Sequence, residues 1–238
     1  MNYEIIKDEK ILREFIEWLP DLLPSEQYYL CLFARSKYCK DITHIKSDKS
    51  QLKRFISTKD RMFDKIRQLE CPVGSYKQYK SDKDNIDIPQ EALALYITPN
   101  PRDLWKATMA TMMKMAKCIQ DTNTLANPQA EAMSEIQKSK GTTHYVDFDI
   151  DESNTGQPGT ILYGLRDIRH ADVVNWDAVT VLMTRGGAHL LVDPKKVQKE
   201  YANKFYKGLA TFADQTGDGM IPVPGCTQGG FIPHFINI

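Results

Sequence analysis

The chain has 238 residues, 42% hydrophobic and 26% charged, with 31 basic and 31 acidic side chains and a formal net charge of zero. That composition predicts a packed core and excludes global disorder, and any nucleic-acid contact must come from a local patch rather than a basic coat. No run of about 18 apolar residues is present, so no membrane span is expected; the charged N-terminus lacks a secretory core, and five irregularly spaced cysteines point to reduced thiols in a cytoplasm.

From residue 4 to 19, Ile5, Ile6, Ile11, Leu12, Phe15, Ile16 and Leu19 recur at helical spacing and Pro20 ends the run. A second helix is expected after Pro24, with Ser25 as N-cap, running through Tyr28, Tyr29 and Leu30 to about Arg35. Cys31, Cys39, His44 and Cys71 match no zinc-ligand spacing. Between Lys46 and Arg67 eight basic residues meet three acidic ones, while Leu52, Phe55, Ile56, Met62, Phe63, Ile66 and Leu69 supply the apolar face of one long helix or two short ones. The polar face reads either as solvated surface or as a phosphate-backbone track contributed by Lys49, Lys53 and Arg54.

Cys71 to Asp87 reads as a loop rich in Lys, Ser and Asp, and the end of Glu91–Ile97 as a strand. Asn100 as N-cap and Pro101 as first helical residue predict a helix reaching about Ile119, with Arg102 in its first turn and able to face a phosphate. Its Met109, Met112, Met113 and Met115 suit core or interface filling. Asn127-Pro128 repeats the cap signal for a helix reaching Lys138.

Thr143 to Ile150 reads as a strand, and successive strand residues face opposite ways. Asp147 and Asp149 therefore share one face, Val146, Phe148 and Ile150 the other. Two carboxylates side by side on a strand suit a hard cation such as Mg²⁺, with a solvated face as the competing reading. Asn154 to Gly159 reads as a loop, followed by a short helix or strand to about Ile168. Ala178–Met183 and Ala188–Val192, joined through Thr184-Arg185-Gly186-Gly187, predict a hairpin. Lys195 to Phe212 is helical by pattern, and the Gly/Pro-rich stretch from Gly217 to Phe231 is a shaped loop.

Asp147-x-Asp149, His189 in the Gly-Gly hairpin and Asp218 before the last loop supply what nucleotidyl transfer requires. Three carboxylates can hold two cations about 4 Å apart. His189 with Thr184, Arg185 and the turn backbone around Gly187 can grip a triphosphate. The task left to the protein is positioning and charge neutralisation.

In this order the residues resemble the archaeo-eukaryotic primase superfamily, and most nearly the prokaryotic primase-polymerases of phages, plasmids and CRISPR-associated loci. Val146-Asp147-Phe148-Asp149 resembles the first motif, Thr184 to His189 the second, and Asp218 with Pro222 to Gly230 the third; Tyr29 to Lys40 and Asn100-Pro101-Arg102 add to the likeness. The resemblance implies an α/β (α+β) primase catalytic core over 1–238. It would pair a mostly helical or mixed lobe at 1–95 with an RRM-like antiparallel lobe at 96–238 that carries the metal site. It implies primer synthesis or extension on single-stranded DNA from NTPs or dNTPs, with two Mg²⁺ or Mn²⁺ ions. Asp147, Asp149 and Asp218 would hold metal, and His189, with Arg185 and Arg102, would contact the nucleotide. A helicase or other replication or defence protein would act in trans. Two other readings compete: a nucleotide-sugar transferase using Asp-x-Asp, which has no need of the hairpin histidine or the late loop, and a non-catalytic single-strand binding module, against which three retained acids count.

Overall fold

The computed structural model describes residues 1–39, 50–79, 85–120, 127–151, 178–200, 202–211 and 213–236. His44, Lys46, Lys49 and the predicted elements between Asn154 and Ile168 lie outside them.

The first helix, α1 (Glu9–Trp18), begins where Asp8 accepts a hydrogen bond from the Ile11 amide, and it buries Leu12, Phe15 and Ile16. The helix expected after Pro24 is instead a strand, β1 (Glu26–Ala34), buried at almost every position. Tyr28, Leu30 and Leu32 enter one core cluster, and Tyr29, Cys31 and Phe33 enter another on the opposite face. A strand covered on both sides reads as a continuous apolar run, which hides its period of two. The stretch read as one or two helices after Lys46 is a strand, β2 (Ser50–Ser57), followed by α2 (Lys59–Arg67). The expected loop at 71–87 contains the small hairpin β3 (Lys77–Tyr79) and β4 (Asn85–Asp87).

The predicted strand near 97 is β5 (Leu93–Ile97), wholly buried. Two residues, β6 (Arg102–Asp103), then pair with β1 before α3 (Leu104–Gln120) begins, so the expected start at Asn100-Pro101 moves by one turn. Asp103 takes over the capping role by accepting from the Trp105 and Lys106 amides. The second cap signal holds: Asn127 accepts from Gln129 and Ala130 at the start of α4 (Pro128–Lys138). The acidic strand is β7 (Val146–Asp151), and the Gly-Gly hairpin is β8 (Val179–Thr184) with β9 (Gly187–Val192). Within 195–212 the helix narrows to α5 (Ala202–Leu209). The closing stretch carries three short strands, β10 (Asp214–Gly217), β11 (Ile221–Pro222) and β12 (His234–Ile236).

The chain is thus mixed α+β, with antiparallel sheets. One sheet runs β11-β5-β1-β2, with β6 on β1; the other runs β10-β7-β9-β8-β12. The part before residue 96 is not mostly helical: five of its described elements are strands, because Tyr28–Ala34 and Leu93–Ile97 pair through the core instead of coiling. Nor does the chain separate cleanly there. β5 crosses the expected boundary, and β11 returns from the far end of the sequence to pair with it.

The last loop is threaded through the molecule. Gly225 accepts from the Lys7 and Asp8 amides, the Thr227 amide donates to Ile5, and the Gly229 amide donates to Leu93. Gly225 has φ +78°, and a Cβ there would lie 2.5 Å from the Leu12 nitrogen, so only glycine brings loop and α1 this close. Among the described residues no helix is long and apolar enough to cross a membrane.

Candidate functional site

Alternation along β7 sets the site. Val146, Phe148 and Ile150 pack under α5 with Leu190, Val192, Phe205 and Leu209. Asp147 and Asp149 face the other way, toward the first sheet, as the sequence predicts. The register places Asp149 directly opposite His189 on β9, and Asp147 opposite Gly217 on β10. Gly187 makes that register possible. It has φ +149°, and a Cβ would fall 1.8 Å from the Ile150 carbonyl oxygen, so a side chain would force the two strands apart. Its role is backbone approach.

Asp147 is fully buried. Its Oδ1 lies 2.9 Å from His189 Nδ1, and its Oδ2 accepts from Thr216 Oγ1 at 2.6 Å. The His189 Nε2 stands 3.7 Å from Asp149 Oδ1, so the imidazole sits between the two acids. Burial alone would lower the His189 pKa, but the hydrogen bond to Asp147 and the charges of Asp147, Asp149 and Asp151 outweigh it and hold the pKa above its ordinary value. Asp149, its side chain 40% exposed, is pushed up by partial burial and then by Asp147 and Asp151, with His189 and Lys37 pulling it back. The cluster thus carries more negative charge than its histidine neutralises.

Asp218 follows Gly217. Consecutive Cα atoms are about 3.8 Å apart and paired strand Cα atoms about 5 Å, so its Cα lies within about 9 Å of that of Asp147. The Asp218 backbone therefore lies beside the strand that carries Asp147 and Asp149. Asp218 is nevertheless already engaged: Oδ2 accepts from Arg102 Nη1 at 2.5 Å, and Oδ1 from Asn100 Nδ2 at 3.2 Å. Arg102, expected to meet a phosphate from a helix N-terminus, is buried on β6 with Asp218 as its anion. Asn100, expected as a cap, has more partners here. It accepts from the His144 and Tyr145 amides at 2.8 and 2.9 Å and donates to the Tyr145 carbonyl at 2.8 Å, clamping the entry to β7.

Arg185, at the hairpin turn, stacks on Tyr38 with its guanidinium 4.7 Å from the ring centre, and donates to the Gly229 carbonyl. Thr184 is paired with Gly187 at the end of β8. Gln228 joins the pieces, accepting from the Arg185 amide at 2.8 Å and donating to the Tyr38 hydroxyl at 3.0 Å. The late Gly-rich loop is therefore the brace that seats the hairpin turn against the first sheet. Thr216 escapes a motif-based reading, while Lys37, Tyr38, Asn100 and Gln228 lie in stretches that carry the resemblance without being singled out there as site residues.

The basic residues read as a possible phosphate track are only partly described. Lys49 lies outside the described residues, and Lys53 and Arg54 are adjacent on a strand, so they point to opposite faces. Arg54 pairs with Cys31 and lies on the Tyr29–Phe33 face. A cavity of about 280 Å³ opens on that face, lined by Phe33, Arg35, Gln51, Tyr96, Gln137 and Met220, the last only two residues beyond Asp218.

The donors suit a hard cation, since the face offers carboxylate oxygens with unbalanced negative charge. Among the described residues, however, no group of three or more His, Cys, Asp or Glu side chains is gathered as a metal cage. The residues fit an ion that takes one or two carboxylates and completes its shell with phosphate oxygens and water. A third carboxylate from Asp218 requires exchange of its bond to Arg102. No protein-family model, curated protein or solved structure matches this chain.

Proposed function

We propose that this protein is a template-directed nucleotidyltransferase that makes or extends short primers on single-stranded DNA, in the manner of the archaeo-eukaryotic primase superfamily. The observation that carries the reading is the register of β7 against β9 and β10, which draws Asp147, Asp149, His189 and the neighbourhood of Asp218 onto one patch facing the first sheet. The strand order β10-β7-β9-β8, with α5 between β9 and β10, supports an RRM-like split-βαβ sheet in which β7 is central.

Each residue has a definable part. Asp149, half-exposed and deficient in positive charge, is the carboxylate best placed to meet a cation entering with its triphosphate. Asp147 orients His189 by accepting its Nδ1 proton in a hydrogen bond, which turns Nε2 toward Asp149 and the patch. A protonated imidazole there offers an N–H donor to phosphate oxygens. Arg185, braced by Gln228 and Tyr38, adds a second cationic donor at the rim. Mg²⁺ or Mn²⁺, expected as a pair held by Asp147, Asp149 and Asp218, supplies neutralisation of the triphosphate and activation of the 3′ hydroxyl.

The test uses purified protein, Mn²⁺, single-stranded DNA and labelled NTPs or dNTPs, and the expected result is template-dependent product. Asp149→Asn is the informative variant because its side chain is partly exposed and, among the described residues, makes no hydrogen bond on which the core depends. It should abolish synthesis with thermal stability unchanged. Full synthesis by a folded Asp149→Asn protein removes the proposal.

A further inference from the structure

We infer that the cavity on the Tyr29–Phe33 face of the first sheet is a pocket for one unstacked purine base. Its role as a specificity pocket rests on the nucleotidyl transfer proposed above; the binding itself does not.

The floor is set by register. Gln51 on β2 lies opposite Phe33 on β1, and Phe33 opposite Ala94 on β5. An unbroken β1–β2 ladder would have placed Leu52 there, because Lys53 pairs with Leu32 one step earlier. A bulge between Leu32 and Phe33 skips Leu52, which packs on the core at the other side of the sheet. The same bulge brings the Gln51 side chain round to the cavity. Packing alone gains nothing from exchanging a leucine for an amide on this face; a ligand with a polar edge does.

The walls combine flat surfaces with hydrogen-bonding groups. Phe33 and Tyr96 meet edge to face, their centres 5.5 Å apart and their planes at 86°, so the rings form a corner. Met220 adds a polarisable side. Arg35 is buried and donates from Nη1 to the Tyr96 hydroxyl at 2.9 Å, which holds its guanidinium in place. On α4, Gln137 accepts from the Tyr29 hydroxyl at 3.3 Å through Oε1, so its N–H groups are the part left to a ligand. None of the described residues lining the cavity is acidic. At about 280 Å³ the space falls just below the range that holds drug-sized ligands, which suits a single ring system.

These groups match the chemistry of a base. An unpaired base is held by stacking on aromatic or guanidinium planes and by hydrogen bonds to its edges. Glutamine pairs with adenine N6 and N7, and arginine with guanine O6 and N7, so both prefer the purine edge that carries N7. A phosphate would forgo the two rings and the thioether, and a purely apolar ligand would strand two amides and a guanidinium. The pocket also connects to the candidate site. Tyr96 Oη lies 3.2 Å from Tyr38 Oη, Gln228 donates to Tyr38, and Gln228 accepts from the Arg185 amide. A base seated here rests on the same brace that holds the hairpin turn.

The base can come from a template strand or from a free nucleotide, and the test separates the two. Binding to the full chain is measured in EDTA, so that no synthesis occurs. Fluorescence anisotropy compares a labelled short thymidine homopolymer with the same strand carrying one central adenine or guanine. Calorimetry compares ATP and GTP with UTP. A purine should bind about fivefold or more tightly than the pyrimidine in its place, the discrimination of one good paired contact. Gln51→Leu restores the side chain that an unbroken register would set there. Gln137→Glu keeps an acceptor for Tyr29 and removes the donors. Each should collapse the purine-to-pyrimidine ratio toward one, with the circular dichroism spectrum unchanged. A preference in the strand assigns the base to the template, and a preference among free nucleotides assigns it to the incoming substrate. Equal binding of purines and pyrimidines in both comparisons overturns the inference, and so does a preference that the folded Gln51→Leu and Gln137→Glu proteins retain. Loss of the base preference leaves the Asp149→Asn test untouched, and absence of synthesis leaves the binding ratio untouched, so the two failures are distinguishable.

Discussion

Replacing Asp147 with asparagine removes one negative charge from a fully buried position while keeping its shape. The perturbed contact is the 2.9 Å hydrogen bond between His189 Nδ1 and Asp147 Oδ1; the 2.6 Å bond from Thr216 can survive on the amide oxygen. A hydrogen bond to a charged group contributes about 1.5–3 kcal/mol, so the expected loss is about 2 kcal/mol. For a chain of this size that is a fall in Tm of roughly 4–8 °C. The sign with pH is fixed by His189, whose pKa is raised in the folded state. Histidine in the unfolded chain titrates near about 6.5. The pair's contribution is therefore complete below that value and is lost as pH rises through the higher folded value. The Tm difference between the parent and Asp147→Asn, measured by calorimetry, should be largest near pH 6 and shrink toward pH 9. A double-mutant cycle with His189→Gln should show a coupling of about 0.5–3 kcal/mol. Equal Tm values at both pH values, together with an additive cycle, would refute the buried pair.

Three further outcomes follow from the same geometry. Gly187→Ala places a Cβ 1.8 Å from the Ile150 carbonyl oxygen and should cost about 3 kcal/mol or more, seen as loss of soluble protein or a steep drop in urea midpoint. Gln228→Ala strips the Arg185 amide and the Tyr38 hydroxyl of a shared partner; a loss of about 1–3 kcal/mol in urea unfolding is expected, along with weaker nucleotide retention in filter binding. Arg102→Ala leaves the partly buried Asp218 carboxylate with Asn100 and the more distant Lys140 as its remaining partners, at a cost of about 1–3 kcal/mol. Arg102→Lys should restore only part of it, because a lysine cannot reproduce the guanidinium's paired donors.

What was legible in the amino-acid order was local. Alternation over Val146–Asp151 assigns each residue to a face without reference to the rest of the chain, because a strand's period of two is a property of its backbone. The Gly-Gly turn before His189 and the Asn127-Pro128 cap were readable for the same reason. The tertiary structure decided where equal local signals compete. Asn100-Pro101 has the same cap chemistry as Asn127-Pro128, yet the Asn100 side chain finds the His144 and Tyr145 amides and Asp218 within reach, and the helix starts later. Tyr28 to Ala34 has no visible period because both faces are buried, and only its pairing with β2 and β5 makes it a strand. Asp218 was picked out by its place in a motif, but its bond to Arg102, 116 residues away in sequence, depends on β6 lying against β1. Residue types and short-range periods travel with the chain; which of two satisfied arrangements a polar side chain adopts depends on partners that only the folded chain brings near.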